Sequence, residues 1–215
     1  MKKVNFQKQY AYFNITNPDD HIQKCWTHDR FYETGRSQLL TWCYNNLPVE
    51  MNILDIGANL GNHSIFFSKI MKAKVVYAIE PYWPNFEQLV ENILLNSCDN
   101  IYPLNIAAYS SIGVKRVQLK NVNNSGMVEI SDKGQPVICT LADFIVADKI
   151  DYIKIDVEGC ELNALGGCLD TINEHQPVIS VETNEPDKVS RVLPNYYHRI
   201  PITLNHTPTH VWKKL

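Results

Sequence analysis

The stretch Asn52-Ile-Leu-Asp-Ile-Gly-Ala-Asn-Leu-Gly-Asn-His-Ser-Ile-Phe-Phe-Ser-Lys69 leaves this chain few folds to choose from. It opens on an apolar run, Ile53 to Ile56, broken only by Asp55, which reads as a buried strand. Gly57-Ala58-Asn59-Leu60-Gly61 interrupts the run, and Ile65, Phe66 and Ile70 then follow at helical spacing. Strand, glycine turn and helix in that order predict free backbone N–H groups at a helix N-terminus, a place to hold a nucleotide-like ligand. Glycine suits the turn because it tolerates left-handed backbone and lets a ligand approach without meeting a Cβ. A second run, Val75 to Ile79, ends in Glu80. An acid there, roughly 20 residues past the first glycine, is placed to accept hydrogen bonds from two ribose hydroxyls. The unit reads as a nucleoside-binding β-α-β.

Helical and extended patterns alternate along the rest of the chain. Residues 1 to about 30 are polar and aromatic, with Phe13, Trp26, Phe31 and Tyr32 among them. Asn17-Pro18-Asp19-Asp20 predicts a short helix with Pro18 at its first position. Leu39, Leu40, Cys43 and Tyr44 predict a second helix from about Thr34 to Asn46, stopped ahead of Pro48. These make a helical cover over residues 1–48 at one end of a core spanning 49–215, within one domain.

Past Glu80, the residues Phe86, Leu89, Val90, Ile93 and Leu94 recur at three- and four-residue steps and predict an amphipathic helix. Ile101 to Ile106 predicts a third strand. Val114–Leu119 and Pro136–Cys139 predict a small β-hairpin insertion around a polar turn, of the kind that shapes a substrate mouth. Thr140 to Phe144 predicts a short helix. Asp151–Asp156 predicts a strand running into a helix that ends near Ile172, and Val178–Val181 predicts the next strand. A short helix from Pro186 and two last β segments, roughly 196–200 and 210–213, complete the pattern. Such alternation predicts an α/β fold, with a mostly parallel sheet, helices on both faces and ligands at the carboxyl ends of the strands.

The formal charge of −3 gives no electrostatic reason to expect nucleic acid as a partner. Six cysteines without C-x-x-C spacing read as reduced thiols rather than a metal or redox motif. Met1-Lys2-Lys3 leads into polar residues instead of the apolar stretch of a signal peptide. No apolar run approaches a bilayer span. The expectation is a cytoplasmic protein without membrane insertion, and its oligomeric state is not legible.

Glu80, Asp156 and Glu182 each stand at the end of a predicted strand, so all three are expected in one crevice. Five blocks then carry a family resemblance: Leu54-Asp-Ile-Gly-Ala-Asn-Leu-Gly61, Ala78-Ile-Glu-Pro81, Asn105-Ile-Ala-Ala108, Thr140-Leu-Ala-Asp-Phe144 and Ile153-Lys-Ile-Asp-Val-Glu-Gly-Cys-Glu161. In order and spacing, over about residues 30 to 185, they resemble the FkbM-type branch of S-adenosylmethionine-dependent methyltransferases. Asn59 stands where the wider methyltransferase fingerprint has a middle glycine, and Gly-Ala-Asn is the usual form of this branch.

The resemblance implies a Rossmann-like class I methyltransferase fold with a seven-stranded sheet, and S-adenosylmethionine as cofactor. It implies that Gly57, Asn59 and Gly61, with Asn62 and His63, line the amino-acid end of the cofactor, and that Asp55 orders the loop beneath. Glu80 and Pro81 would meet the ribose, and Asn105 and Ala107 the adenine. Asp156 and Glu158, with Glu182, would stand near the methyl group and the acceptor. The implied activity is O-methylation of a hydroxyl on a sugar, glycan or small metabolite.

Asp156, Glu158 and Glu182 are the candidate catalytic acids without a choice of base among them, loss of Asp156 is expected to impair turnover, and His63 is a further candidate base. Tyr32 and Glu33 are candidates for the acceptor side. Lys154, inside a buried-looking strand, needs an acidic partner and is a further candidate for substrate contact. Asp156, Glu158 and Glu182 are also candidate ligands for a divalent ion, with Asp156 and Glu182 foremost. Two rival readings stand beside this one. A nicotinamide-dependent oxidoreductase would want G-x-G-x-x-G where this chain has G-x-x-x-G. A nucleoside-binding scaffold without catalytic activity would want the crevice without its acids.

Overall fold

The computed structural model describes residues 1–215, and the chain begins with a hairpin rather than a helix. Strands β1 (Lys2–Phe6) and β2 (Gln9–Phe13) pair antiparallel with Val4 opposite Ala11. Alternation explains the hairpin: Val4, Ala11 and Phe13 are fully buried, while Lys3, Asn5 and Tyr10 face solvent. The helical cover expected over residues 1–48 is therefore corrected to a hairpin followed by two short helices.

The first of these, α1 (His21–Thr27), starts after Asp20, whose Oδ1 accepts the N–H groups of Ile22 and Gln23. Asp20 thus caps the helix that Pro18 was expected to open. The second, α2 (Leu39–Asn46), begins later than the expected Thr34, because Gln38 immediately before it is extended at φ −115° and ψ 157°.

From there the core follows in order: β3 (Asn52–Ile56), α3 (Asn62–Ile65, continued by a π turn over Phe66–Ile70), β4 (Val75–Ile79), α4 (Trp83–Leu95) and β5 (Ile101–Leu104). A second sheet is then built from β6 (Ala107–Ala108), β7 (Gly113–Leu119), β8 (Val128–Ser131) and β9 (Gln135–Thr140). After a 3₁₀ turn over Ala142–Phe144 the core resumes with β10 (Tyr152–Ile155), α5 (Glu161–Gly166), α6 (Leu169–His175), β11 (Val178–Glu182), α7 (Pro186–Val192), β12 (Tyr197–Arg199) and β13 (Thr209–Lys214).

The main sheet has seven strands in the order β12-β13-β11-β10-β3-β4-β5. The neighbours from β11 through β5 pair parallel, and β13 runs antiparallel to both β11 and β12. Two apolar layers sandwich it. One face packs Ile53, Val76, Phe66, Phe67 and Leu89 together with Phe13, Trp26 and Phe31 of the cover. The other packs Leu54, Ile56, Ile153, Ile155, Ile179 and Trp212. Phe13 stacks on Trp26 with ring centroids 4.2 Å apart, so the cover shares a core with the sheet instead of closing only its end.

Two further expectations are corrected. The insertion is a four-stranded sheet in the order β6-β9-β7-β8, not a two-stranded hairpin. The strand that was not expected, β8, alternates apolar and polar residues over Val128–Ser131, and all four are half-buried. The single helix expected to end near Ile172 divides at Gly166-Gly167, where a Cβ on Gly167 would fall 2.2 Å from the carbonyl oxygen of Tyr109. No helix is long and apolar enough to cross a membrane.

Candidate active site

The carboxyl ends of β3, β4, β10 and β11 open into one cavity of about 890 Å³. Gly57, Ala58 and Asn59 line it after β3, Glu80 and Pro81 after β4, Asp156 and Glu158 after β10, and Glu182 at the end of β11. Ala107 of the second sheet, Tyr32 and Glu33 of the cover, and Asn62 and His63 of α3 complete this set. Parallel strands pointing the same way bring all of these to one edge of the sheet.

The glycine turn has a steric cause. Gly57 has φ 82°, and a Cβ there would lie 1.8 Å from the carbonyl oxygen of Asp156. The turn therefore presses on the tip of β10 and ties the two sides of the crevice together. Its N–H groups, expected to be free, are engaged. Gly57 and Ala58 donate to the Ile79 carbonyl, Asn59 to Glu80 Oε2 at 2.9 Å, Leu60 to its neighbour Asn59 Oδ1, and Gly61 to the Ala58 carbonyl. A turn whose donors are taken in this way is not a nest for a pyrophosphate, which removes the main structural support for a dinucleotide.

Glu80 is buried, and its two oxygens accept from Asn59 N and Tyr82 N at 2.9 Å each. Burial pushes its carboxyl up to about 7, against the pull of those N–H donors. Beside it the wall turns apolar through Ile79, Ala107, Val117 and Val128. A carboxylate held firmly next to an apolar slot, in a cavity of this size, fits the ribose and base of a nucleoside.

Four of the expected contacts lie off the cavity wall. Asp55 sits beneath the turn, with Oδ2 accepting from Ser64 Oγ at 2.6 Å and Oδ1 3.1 Å from Lys154 Nζ. Gly61, at φ 92°, lets α3 approach Leu89 of α4. Asn105 Nδ2 donates to the carbonyls of Glu80 and Pro81, and so fixes the end of β4. Lys154, expected on the substrate, is fully enclosed: its ammonium donates to the Gly57 carbonyl at 2.8 Å and lies 3.6 Å from Asp156. Burial alone would lower the Lys154 pKa, but Asp55 and Asp156 outweigh it and raise it. Lys154 is a tie between the turn and the acids rather than a group facing an acceptor.

The other end of the cavity is acidic. Burial raises Asp156 above the usual carboxylate range, with the Lys154 charge opposing. Burial and then the Asp156 charge push Glu182 up to about 9. Glu158, left-handed at φ 44°, is also raised by burial and by Asp156. The Tyr32 hydroxyl is raised by burial and by the neighbouring Glu33 charge. His63 Nε2 meets Glu33 Oε2 at 2.8 Å. No group of three or more His, Cys, Asp or Glu side chains converges as an ion site.

Several wall residues carry no sequence signal. Asn124, Ser125 and Gly126 reach the cavity from the loop between β7 and β8, and His206 and Thr207 from the turn before β13. Arg30 and Arg36 stand at the mouth. These segments are aperiodic, and only the Asn- and Ser-rich composition near residue 123 marked one of them as a turn.

Sheet order and glycine turn are those of the class I, Rossmann-like methyltransferase fold. The FkbM methyltransferase domain matches residues 55–205, and the chain belongs to that family. The hexuronic acid methyltransferase AglP of Haloferax volcanii is 31% identical over 147 residues, covering 65% of this chain and 59% of the relative. The chain thus spans about three fifths of that relative's length. Among solved structures, an FkbM methyltransferase from Methylobacillus flagellatus superimposes with a TM-score of 0.55 at 20% identity, over 76% of this chain and 43% of that one. A methyltransferase described as yhhF from Escherichia coli gives 0.53 at 11% identity, over 98% and 94%. At these identities the structural likeness speaks for the fold.

Proposed function

We propose that the chain methylates a hydroxyl group of a sugar, free or within a glycan, with S-adenosylmethionine as donor. The observation that carries this reading is the meeting of Asp156 and Glu182 in the cavity, with the Lys154 ammonium 3.6 Å from Asp156. Glu182, pushed to about 9, keeps its proton near neutral pH and can donate a hydrogen bond to a sugar oxygen. Asp156, with Lys154 at 3.6 Å, has a cationic neighbour that favours its anion, and it can accept the proton of the attacking hydroxyl.

The sulfonium of the donor supplies an activated methyl group, and the protein's part is placement and proton transfer. Holding the acceptor oxygen in line is worth up to about 7–11 kcal/mol of the barrier. A general base adds about 10²–10⁴-fold. The relative that acts on hexuronic acid supports a sugar acceptor, and Arg30 and Arg36 at the mouth suit an acceptor that carries a carboxylate.

The test is transfer of labelled methyl from S-adenosylmethionine to a panel of uronic acid glycosides and neutral sugars. The reading expects a labelled product that resists mild alkali, as a methyl ether does. Label released by alkali would mean a methyl ester on the sugar carboxylate and would sink the hydroxyl reading. Label on no sugar of the panel would sink the sugar.

A further inference from the structure

The loop joining β7 to β8 crosses the top of the cavity as a strap. Asn17 Nδ2 donates to the Val122 carbonyl at 2.9 Å, and the His21 N–H to the Asn123 carbonyl at 3.0 Å. Ser125 N donates to Asp20 Oδ2 at 2.7 Å, on the same buried carboxylate that caps α1. From the opposite side, Asn85 Nδ2 of α4 donates to the Ser125 carbonyl at 2.9 Å. The backbone of Ser125 is thus held from two directions, by side chains that are 1% and 4% exposed.

Its hydroxyl is not held. Ser125 lines the cavity at 7% exposure, and Oγ is buried without a hydrogen-bond partner. A hydroxyl out of reach of water and of protein partners is costly, and a rigid backbone gives it no route to relieve that cost. What surrounds it indicates the missing partner. Asn85, which holds the Ser125 carbonyl, is also within hydrogen-bonding reach of the Glu80 carboxyl. The next residue, Gly126, faces Asn59, with its Cβ direction 3.9 Å from Asn59 Nδ2. Asn59 in turn donates its N–H to Glu80. Ser125 is thus tied through Asn85, and its neighbour Gly126 lies by Asn59, the two residues that bond the buried acid of β4.

We infer that Ser125 Oγ hydrogen-bonds a ribose hydroxyl of the S-adenosyl nucleoside, so that the strap binds the cofactor as well as covering it. This rests on the donor reading given above. Oγ is itself enclosed, so aiming it at the ligand takes a turn about the Cα–Cβ bond to another staggered position. Glu80 and Ser125 then both grip the ribose.

The experiment is calorimetric titration of the wild-type chain and of Ser125→Ala with two probes, S-adenosylhomocysteine and 5′-methylthioadenosine. The second probe keeps the ribose and base and lacks the amino-acid end. The proposal expects Ser125→Ala to weaken both by the same factor, about 3–10-fold, as for loss of one hydrogen bond. It also expects the ligand-free melting temperature to stay level or rise, because the variant removes only an unpaired buried hydroxyl. Unchanged affinity for both probes would overturn it. Loss confined to S-adenosylhomocysteine would overturn the ribose assignment and move the hydroxyl to the amino-acid end. If the wild-type chain bound neither probe, the donor reading itself would fall, and this inference with it.

Discussion

His63 Nε2 lies 2.8 Å from Glu33 Oε2, a buried contact between the first turn of α3 and the left-handed residue of the cover. The contact holds the imidazole to the carboxylate through Nε2. Glu33→Ala removes the acceptor and leaves Nε2 buried and unpaired, so a loss of about 1–3 kcal/mol in stability is expected. Methyl transfer should fall further than affinity for S-adenosylhomocysteine. Chemical denaturation gives the first quantity and single-turnover kinetics with calorimetry the second; equal losses in both would leave the pair a purely structural role.

Asp156→Asn keeps the size of the side chain and removes its basicity. Turnover is expected to fall by about 10²–10⁴-fold, the range of a general base, with affinity for S-adenosylhomocysteine changed little. A variant whose turnover survives would transfer the role of base to His63.

Lys154→Met would strip the ammonium from two carboxylates, one of them fully buried. Breaking such a group by removing one partner costs about 3–5 kcal/mol. The midpoint of urea unfolding should drop accordingly. Adding Asp55→Asn to the same chain should recover part of the loss, since the second change removes the stranded charge.

Two glycines in the site offer a paired contrast. Gly57→Ala meets both a left-handed φ and the Asp156 carbonyl at 1.8 Å, and is expected to yield little folded protein. Gly159, at φ 90°, has nothing within 4 Å of its Cβ direction. Gly159→Ala should cost only backbone strain, about 1–2 kcal/mol, read from its melting temperature.

Glu182 gives a pH signature. Its folded affinity is raised from 4.5 to about 9, so between those values the native chain holds a proton that the unfolded chain releases. Its contribution is fully present below pH 4.5 and is lost as pH rises through about 9. Glu182→Gln, neutral throughout, should melt close to wild type near pH 5 and progressively above it toward pH 9. Parallel curves across that range would mean that Glu182 ionises normally.

The sheet and its acids were legible because each rests on a strong local pattern. β3, β4, β10 and β11 are apolar runs ending in a turn, and the residue after or at the end of each falls at one edge by geometry alone. What escaped was long-range. The glycine turn was read as a cradle of free donors, yet its N–H groups go to Ile79 and Glu80, some 20 residues away and invisible to periodicity. Lys154 was expected to need an acidic partner and has one in Asp156 of the crevice, but the closer partner, Asp55 on the adjacent strand and opposite it in register, carries no mark in the local sequence. β8 alternates over only four residues, Val128 to Ser131, too short a run to stand out beside the polar turn, and Ser125 sits in a loop where no repeating pattern exists to mark it.

Asn62 makes one more consequence concrete. Its Oδ1 accepts from Trp26 Nε1 and from Tyr32 N, and its Nδ2 donates to the Tyr32 carbonyl, so a single residue of α3 sews the turn bearing Tyr32 and Glu33 into place. Exchanging residues 1–48 between members of this family, as a way to change which acceptor is taken, would carry Glu33 without His63 and Trp26 without Asn62. A working chimera has to transplant positions 62 and 63 along with the amino-terminal segment, because the joint between donor and recipient runs through α3 and not through the chain at residue 48.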